Sequence, residues 1–120
     1  MNLQRGVGSL ADRYLSFSTT GTGTVYTVAT ADTGGAPPVP PTTALVRSIR
    51  LSNQSGGAVT TTVTAMDFSN SSLENELYKD SLTDGAESEI LTQPITLEQQ
   101  DAIKLTGAGV KILVSLMQIT

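Results

Sequence analysis

The sequence predicts an all-β fold: a single antiparallel β-sandwich, Ig-like or jelly-roll-like, with about seven or eight strands and an extended N-terminal arm. Thr and Ser supply 18 and 12 of the 120 residues, whereas charged residues make up only 15%. Thr is β-branched and fits a pleated, half-exposed surface, and a helical domain would carry more Glu, Lys and Ala. Alternating apolar and polar runs recur about every 8–12 residues between turn residues, a spacing typical of sandwiches and barrels.

Two segments stand outside the strand pattern. Residues 1–12 are polar and lack periodicity, and we interpret them as an arm that precedes a single domain over residues 13–120. Residues 31–41 contain four of the five prolines in the chain. Because proline donates no ladder hydrogen bond and restricts its predecessor, this stretch predicts an exposed, semi-rigid loop within the domain.

The first half of the domain predicts four strands, over residues 13–18, 24–30, 43–52 and 58–68. The last two flank the turn Asn53–Gly57, so we expect them to pair as a β-hairpin. Strict alternation over 43–52 places on one face of that strand Leu45, Arg47, Ile49 and Leu51.

The second half begins with residues 74–82, which fit both a helical stripe and a strand; the context favours a strand. Further strands are expected over 87–93, 95–97, 102–106 and 110–119, with the last two forming a closing hairpin. The predicted core consists of Val28, Leu45, Ile49, Leu51, Val63, Ile90, Leu97, Ile103, Leu105, Ile112, Val114 and Leu116.

The composition excludes most small-enzyme chemistries. There is no His, Cys or Trp, so imidazole bases, thiolate nucleophiles and disulfides are unavailable to the chain, and we expect no enzyme, cofactor or metal site. A net charge of -4 argues against nucleic-acid or anionic-membrane binding, which needs clustered cations. Met1–Leu10 has one Arg and no apolar core, so we expect no signal peptide and synthesis in a cytoplasm.

Two short motifs have a functional and a plain interpretation. Asp32-Thr33-Gly34 spells the aspartic-protease triplet, in which two carboxylates share a proton, but its flanking residues favour an ordinary turn. Asp80, Asp84, Glu87 and Glu89 suggest a calcium loop, but lack the required spacing, which favours a solvated turn.

Arg47 and Arg50 interrupt an apolar strand and are predicted to lie on opposite faces. One interpretation places them at an exposed edge or in a cross-strand ion pair. The other makes one of them an anchor for the carboxylate of a neighbouring subunit.

From Val25 onward the chain resembles small β-sandwich structural proteins of tailed bacteriophages. The resemblance rests on Val25–Val28, Thr43–Asn53, Gly85–Leu91, Pro94–Leu97, Asp101–Leu105 and Val114–Ile119. It departs from the usual pattern at residues 31–41, where a long Pro-rich loop replaces a short turn. These are structural motifs, and no reactive residue is among them.

The resemblance implies a non-enzymatic virion component, made in the host bacterial cytoplasm: a capsid decoration (cement) protein that stabilises the head through lattice contacts. The alternatives are a tail or fibre-base subunit, or a carbohydrate- or receptor-binding sandwich module. The implied partners are the major capsid protein or other virion subunits, and further copies of the chain, with a trimer favoured. The residues expected to contact partners are Leu3, Arg5, Val7, Leu10, Pro37, Pro38, Val39, Pro40, Arg47 and Arg50.

Overall fold

A computed structural model describes residues 14–29 and 43–119 of the chain. The predicted arm and the Pro-rich loop 31–41 lie outside the described residues. The described part contains nine strands: β1 (Tyr14–Thr20), β2 (Gly23–Thr27), β3 (Thr43–Asn53), β4 (Val59–Asp67), β5 (Leu73–Leu82), β6 (Glu87–Glu89), β7 (Ile95–Leu97), β8 (Ala102–Thr106) and β9 (Val110–Ile119). One 3₁₀ turn, Phe68–Asn70, joins β4 to β5.

The strands form two antiparallel sheets, which confirms the predicted sandwich. Sheet A has the order β1-β9-β3-β6, with β7 also paired to β3, and sheet B has the order β2-β8-β4-β5. The pairs are nested along the chain: β4 with β5 is innermost, enclosed in turn by β3 with β6 and β7, β2 with β8, and β1 with β9. This winding of one long hairpin into two sheets is the jelly-roll arrangement, and it selects that topology over the Ig-like one.

Two predicted hairpins are wrong. β3 lies in sheet A and β4 in sheet B, and the same separation holds for β8 and β9. Each Gly-containing connection therefore crosses from one sheet to the other and does not join paired neighbours. Such turn residues are compatible with a hairpin and with a crossing between sheets. They supply a reversal of chain direction without specifying which strand pairs.

A β-bulge in β3 changes the face that its residues occupy. The pairing with β9 passes from Val46–Leu116 to Ser48–Ser115, so Arg47 is the extra residue. Ala44 and Val46 are buried before the bulge, and Ile49 and Leu51 after it. The predicted core position of Leu45 is therefore wrong, since this side chain lies half-buried on the opposite face.

The buried core otherwise follows the predicted residues. Those that are buried as expected are Val28, Ile49, Leu51, Val63, Leu97, Ile103, Leu105, Ile112, Val114 and Leu116. Ile90 is only partly buried and packs against the edge of the core. The predicted strand 87–93 ends at Glu89, and Ile90 follows it in the irregular connection to β7.

Asn53 organises the end of the sandwich where β3 turns into β4. Its side chain is fully buried, and its Nδ2 donates to the carbonyl oxygens of Gly57 at 2.8 Å and Leu82 at 2.7 Å. Its Oδ1 accepts from the backbone N–H of Ser55 at 3.0 Å. The residue thus fixes its own turn and attaches that turn to the end of β5.

Asp101 has the equivalent position at the opposite end. It is 7% exposed, and its carboxylate accepts from the backbone N–H groups of Phe68 and Glu98, each at 2.9 Å. Its backbone carbonyl accepts from the N–H of Val28 at 2.9 Å. Because one buried carboxylate satisfies donors on two connections, it joins segments that are distant in sequence.

Candidate functional site

The face of sheet A that points away from the core carries an unusual set of exposed side chains. We call it the outer face. Cross-strand pairing arranges it in rows over β1, β9 and β3: Tyr14–Met117–Leu45, then Ser16–Ser115–Ser48, then Ser18–Leu113–Arg50, then Thr20–Lys111–Ser52. The first row is apolar and the second is small and polar, and the last two carry the charged Arg50 and Lys111 beside the exposed Leu113.

The apolar row lies at the end of the sheet where β1 begins. Tyr14 is 51% exposed, and Met117 and Leu45 are half-buried beside it. Ile119, 41% exposed, extends the same surface towards the end of β9. Side chains directly opposite on neighbouring strands are close enough to pack together, so these residues form a continuous apolar surface in contact with solvent.

Three serines in the next row leave a depression of about 440 Å³. The side chains of Ser16, Ser115 and Ser48 are small, and Tyr14 and the bulged Arg47 also line the cavity. Its walls thus combine an aromatic ring, a guanidinium group and three hydroxyls. These groups can donate and accept hydrogen bonds, but the set contains no general base or activated nucleophile.

The charged end of the outer face carries both signs. Arg50 lies opposite Glu89 on β6, and Ser52 lies between Lys111 on β9 and Glu87 on β6. A second depression, of about 230 Å³, lies between the cations Arg50 and Lys111 and the carboxylate of Glu87. Alternating charges at this end favour contacts with a polar protein surface over contacts with a polyanion.

Glu89 fills the gap in sheet A between β6 and β7. Its carboxylate accepts from the Ser48 hydroxyl, from the backbone N–H of Ile49 at 2.9 Å and from that of Leu91 at 3.2 Å. Burial by itself would raise the pKa of Glu89, but these hydrogen bonds and the nearby Arg50 outweigh it and lower the pKa below its ordinary value. The charged carboxylate therefore holds β6 to β3 beside the bulge.

The outward face of sheet B is different in character. Thr60, Thr62 and Thr64 of β4 point outward there, and the Thr64 hydroxyl donates to Glu74 Oε1 at 3.0 Å. Lys104 Nζ lies 3.8 Å from Glu74 Oε2. This face is therefore a threonine surface with charged side chains, and the exposed apolar residues beside sheet B, Phe68 and Leu73, lie at the connection between β4 and β5.

The predicted partner-contact residues fall into two groups. Arg47 and Arg50 are both exposed beside the outer face, and the bulge corrects the prediction that they lie on opposite faces of a regular strand. The others lie outside the described residues: Leu3, Arg5, Val7, Leu10, Pro37, Pro38, Val39 and Pro40. The described chain begins at Tyr14 and resumes at Thr43, and both of these residues lie at the apolar end of sheet A.

The structure does not bring the other candidate groups into a site. Within residues 14–29 and 43–119, no cluster of three or more carboxylates is placed to hold a metal ion. Asp84, from the proposed calcium loop, accepts a hydrogen bond from the backbone N–H of Gly56 at 3.0 Å. The Asp32-Thr33-Gly34 triplet lies outside the described residues. The same described ranges contain no helix long and apolar enough to cross a bilayer.

The residues of the apolar row are not among the predicted contact residues, although the sequence of β9 contains a signal for this row. In β9, the alternate residues Ile112, Val114 and Leu116 are buried on the inner face of the strand. Leu113 and Met117 lie on the other face. A strand with one solvated face would carry polar residues on that face. Apolar residues on both faces therefore indicate a sheet surface that is suited to a protein contact as well as to solvent.

No protein-family model, curated protein or solved structure matches this chain.

Proposed function

We propose that this protein is a non-enzymatic structural component of a bacteriophage virion, a capsid decoration protein that binds the head lattice through the outer face of sheet A. The observation that carries the proposal is the exposed apolar row of Tyr14, Met117 and Leu45, extended by Ile119. The bacteriophage assignment itself depends on the sequence resemblance, and the geometry supplies the contact surface.

The physical reason is the cost of leaving such a row in water. Contiguous exposed apolar side chains mark interaction surfaces more often than isolated ones do. A polar rim around an apolar centre is the usual composition of protein–protein interfaces. The serine row and the alternating charges of Arg50, Lys111 and Glu87 supply such a rim on one side.

The described chain begins at Tyr14 and resumes at Thr43, and both residues lie at the apolar end of sheet A. The residues of 1–12 and 31–41 that are expected to contact a partner precede these two positions in the sequence. Jelly-roll sandwiches are found in viral capsid and lectin domains, although a fold alone does not determine a function.

The test measures the copy number of the protein on phage particles assembled with each variant. Ile119→Ser and Tyr14→Ser should reduce occupancy at least several-fold, because each removes apolar area from the contact. Phe68→Ser is the matched control: its side chain is similarly exposed, at 45%, but lies in the turn between β4 and β5. Occupancy that falls equally in all three variants, or in none, would contradict the proposed surface.

Localisation of the chain on the particle separates decoration from the tail alternative. Electron microscopy of labelled particles should place the protein over the head shell. Density confined to the tail or fibre base would keep a structural function and overturn the decoration assignment.

One observation favours a glycan-binding module as the second candidate. Tyr14 stands at the depression that contains the hydroxyls of Ser16, Ser115 and Ser48, and aromatic rings beside hydrogen-bonding groups suit sugar rings. A glycan array of the purified protein tests this. Binding that Tyr14→Ala abolishes, together with normal particle assembly without the protein, would favour the module.

A further inference from the structure

We infer that the β5 edge of sheet B is a self-association site, at which β5 of one chain pairs antiparallel with β5 of a second copy. β5 is an edge strand of sheet B, and among residues 14–29 and 43–119 it pairs only with β4. It is ten residues long, and most of it is exposed. A long exposed edge strand offers unpaired backbone groups to another strand. This inference concerns a different surface from the outer face and does not depend on the proposed function.

The side chains of β5 are complementary to themselves in one register. If the two copies overlap over their full length about a two-fold axis, the opposed residues are Leu73 with Leu82, Glu74 with Ser81, Asn75 with Asp80, Glu76 with Lys79, and Leu77 with Tyr78. Each pair occurs twice. Apolar residues meet apolar residues, and the acidic Glu76 meets the basic Lys79, which are the cross-strand pairs that stabilise antiparallel sheets.

A β-bulge at the centre of β5 keeps the opposed side chains on the same face in this register. The pairing with β4 passes from Val63–Tyr78 to Thr64–Glu76, so Leu77 is the extra residue. Leu77 and Tyr78 both pack against the edge of the core. Glu76 and Lys79, on either side of the bulge, both point outward, because they lie opposite the outward-pointing Thr64 and Thr62.

This symmetry decides which partner fits. In a regular strand, Glu76 and Lys79 would point to opposite faces of the sheet. A register that opposed them would then place the two side chains of every pair on opposite faces. The central bulge removes the mismatch, so both halves of β5 match the halves of a second copy face for face. A regular strand from another protein would match the side-chain faces of only one half of β5. Bulges in edge strands ordinarily protect against pairing with such strands. A second copy of this chain is therefore the occupant that the edge selects.

One local contact has to adjust when the pair forms. Asp80 Oδ1 accepts from the backbone N–H of Ser81 at 2.8 Å in the single chain. In the paired register, Asn75 of the second copy lies opposite Asp80, and its amide group can donate to that carboxylate. The Asp80 side chain can therefore leave the Ser81 N–H while keeping a hydrogen-bond donor.

The first experiment measures the dimerisation constant of the purified full-length chain by sedimentation over a range of concentrations. Glu76→Lys and Lys79→Glu should each weaken the dimer by roughly tenfold, since two pairs become like-charged. The double exchange Glu76→Lys/Lys79→Glu restores both pairs and should restore the dimer. Glu98→Lys is the control, because it makes the same charge change on an exposed turn outside β5.

The second experiment tests the register by disulfide cross-linking. The chain contains no Cys, so the introduced residues supply all the thiols. A mixture of Glu76→Cys and Lys79→Cys chains should form a covalent dimer under mild oxidation in several-fold higher yield than a mixture of Glu74→Cys and Lys79→Cys chains. Equal yields would overturn the register. A chain that stays monomeric at about millimolar concentration would overturn the inference itself, while the occupancy of the outer face on particles would be unaffected.

The two-fold pairing gives a dimer, whereas the sequence favoured a trimer. A three-fold assembly would have to use another surface, and sedimentation distinguishes the two directly. A trimer that Glu76→Lys leaves intact would count against β5 as the site of association.

Discussion

Single polar residues hold the ends of this sandwich together, and Asn53 gives the clearest test. Replacing it with Ala leaves the carbonyls of Gly57 and Leu82 and the N–H of Ser55 without their partner in a buried position. We expect Asn53→Ala to lower the free energy of unfolding by about 3 kcal/mol, as measured by urea denaturation. Asn70→Ala, on an exposed side chain outside β5, should change it by less than about 0.5 kcal/mol. Equal losses in the two variants would show that Asn53 has no special position.

Glu89 gives a prediction of pH dependence at the same scale. Its pKa is lowered in the folded chain, so its contribution to stability is present above the ordinary carboxyl value of 4.5 and is lost as the pH falls through the folded value. Glu89→Gln should therefore be less stable than the unmodified protein at pH 7, and the difference should disappear in acid. Denaturation midpoints measured from pH 7 downward test this. Glu98→Gln removes the same charge from an exposed turn and should show no such convergence.

At the scale of elements, the bulge in β3 determines which residues reach the core. Deleting Arg47 removes only the extra residue, so Ala44, Val46, Ile49 and Leu51 stay on one face of a regular strand and keep their pairing with β9. We expect this variant to retain cooperative unfolding in calorimetry. Deleting Arg50, which is a paired residue, makes Ile49 and Leu51 sequence neighbours and sends one of them to the solvent face, so that deletion should abolish cooperative unfolding. Equal effects of the two deletions would contradict the assignment of Arg47 as the extra residue.

At the scale of the whole molecule, residues 14–29 and 43–119 supply all the strands of the two described sheets. Every residue of β1, the first described strand, pairs with β9. Removing residues 1–10 should therefore leave the melting temperature of the isolated chain nearly unchanged and should lower its occupancy on particles. A fall of more than about 4–8 °C, which corresponds to roughly 1 kcal/mol for a domain of this size, would show that the arm belongs to the folded domain.

The sequence by itself determined where the strands lie. β8 and β9 have the bounds that alternation predicted, and ten of the twelve predicted core residues are buried. Residues 74–82 were ambiguous in isolation and form β5, because pairing with β4 supplies the ladder that the local pattern could not specify. Alternation reports the two faces of a strand directly, so the bounds of β8 and β9 and most of the core depend only on local sequence.

The tertiary structure alone decided which strands pair and where the alternation shifts. The connections after β3 and β8 look like hairpin turns but cross between the sheets, since a turn sequence fixes a reversal and not the identity of a neighbour. The extra residues Arg47 and Leu77 carry no local mark, because a bulge exists only relative to the partner strand. The apolar row on sheet A and the matched halves of β5 both depend on those pairings. Both candidate surfaces therefore arise from contacts between residues distant in sequence, which a pattern with a period of two cannot encode.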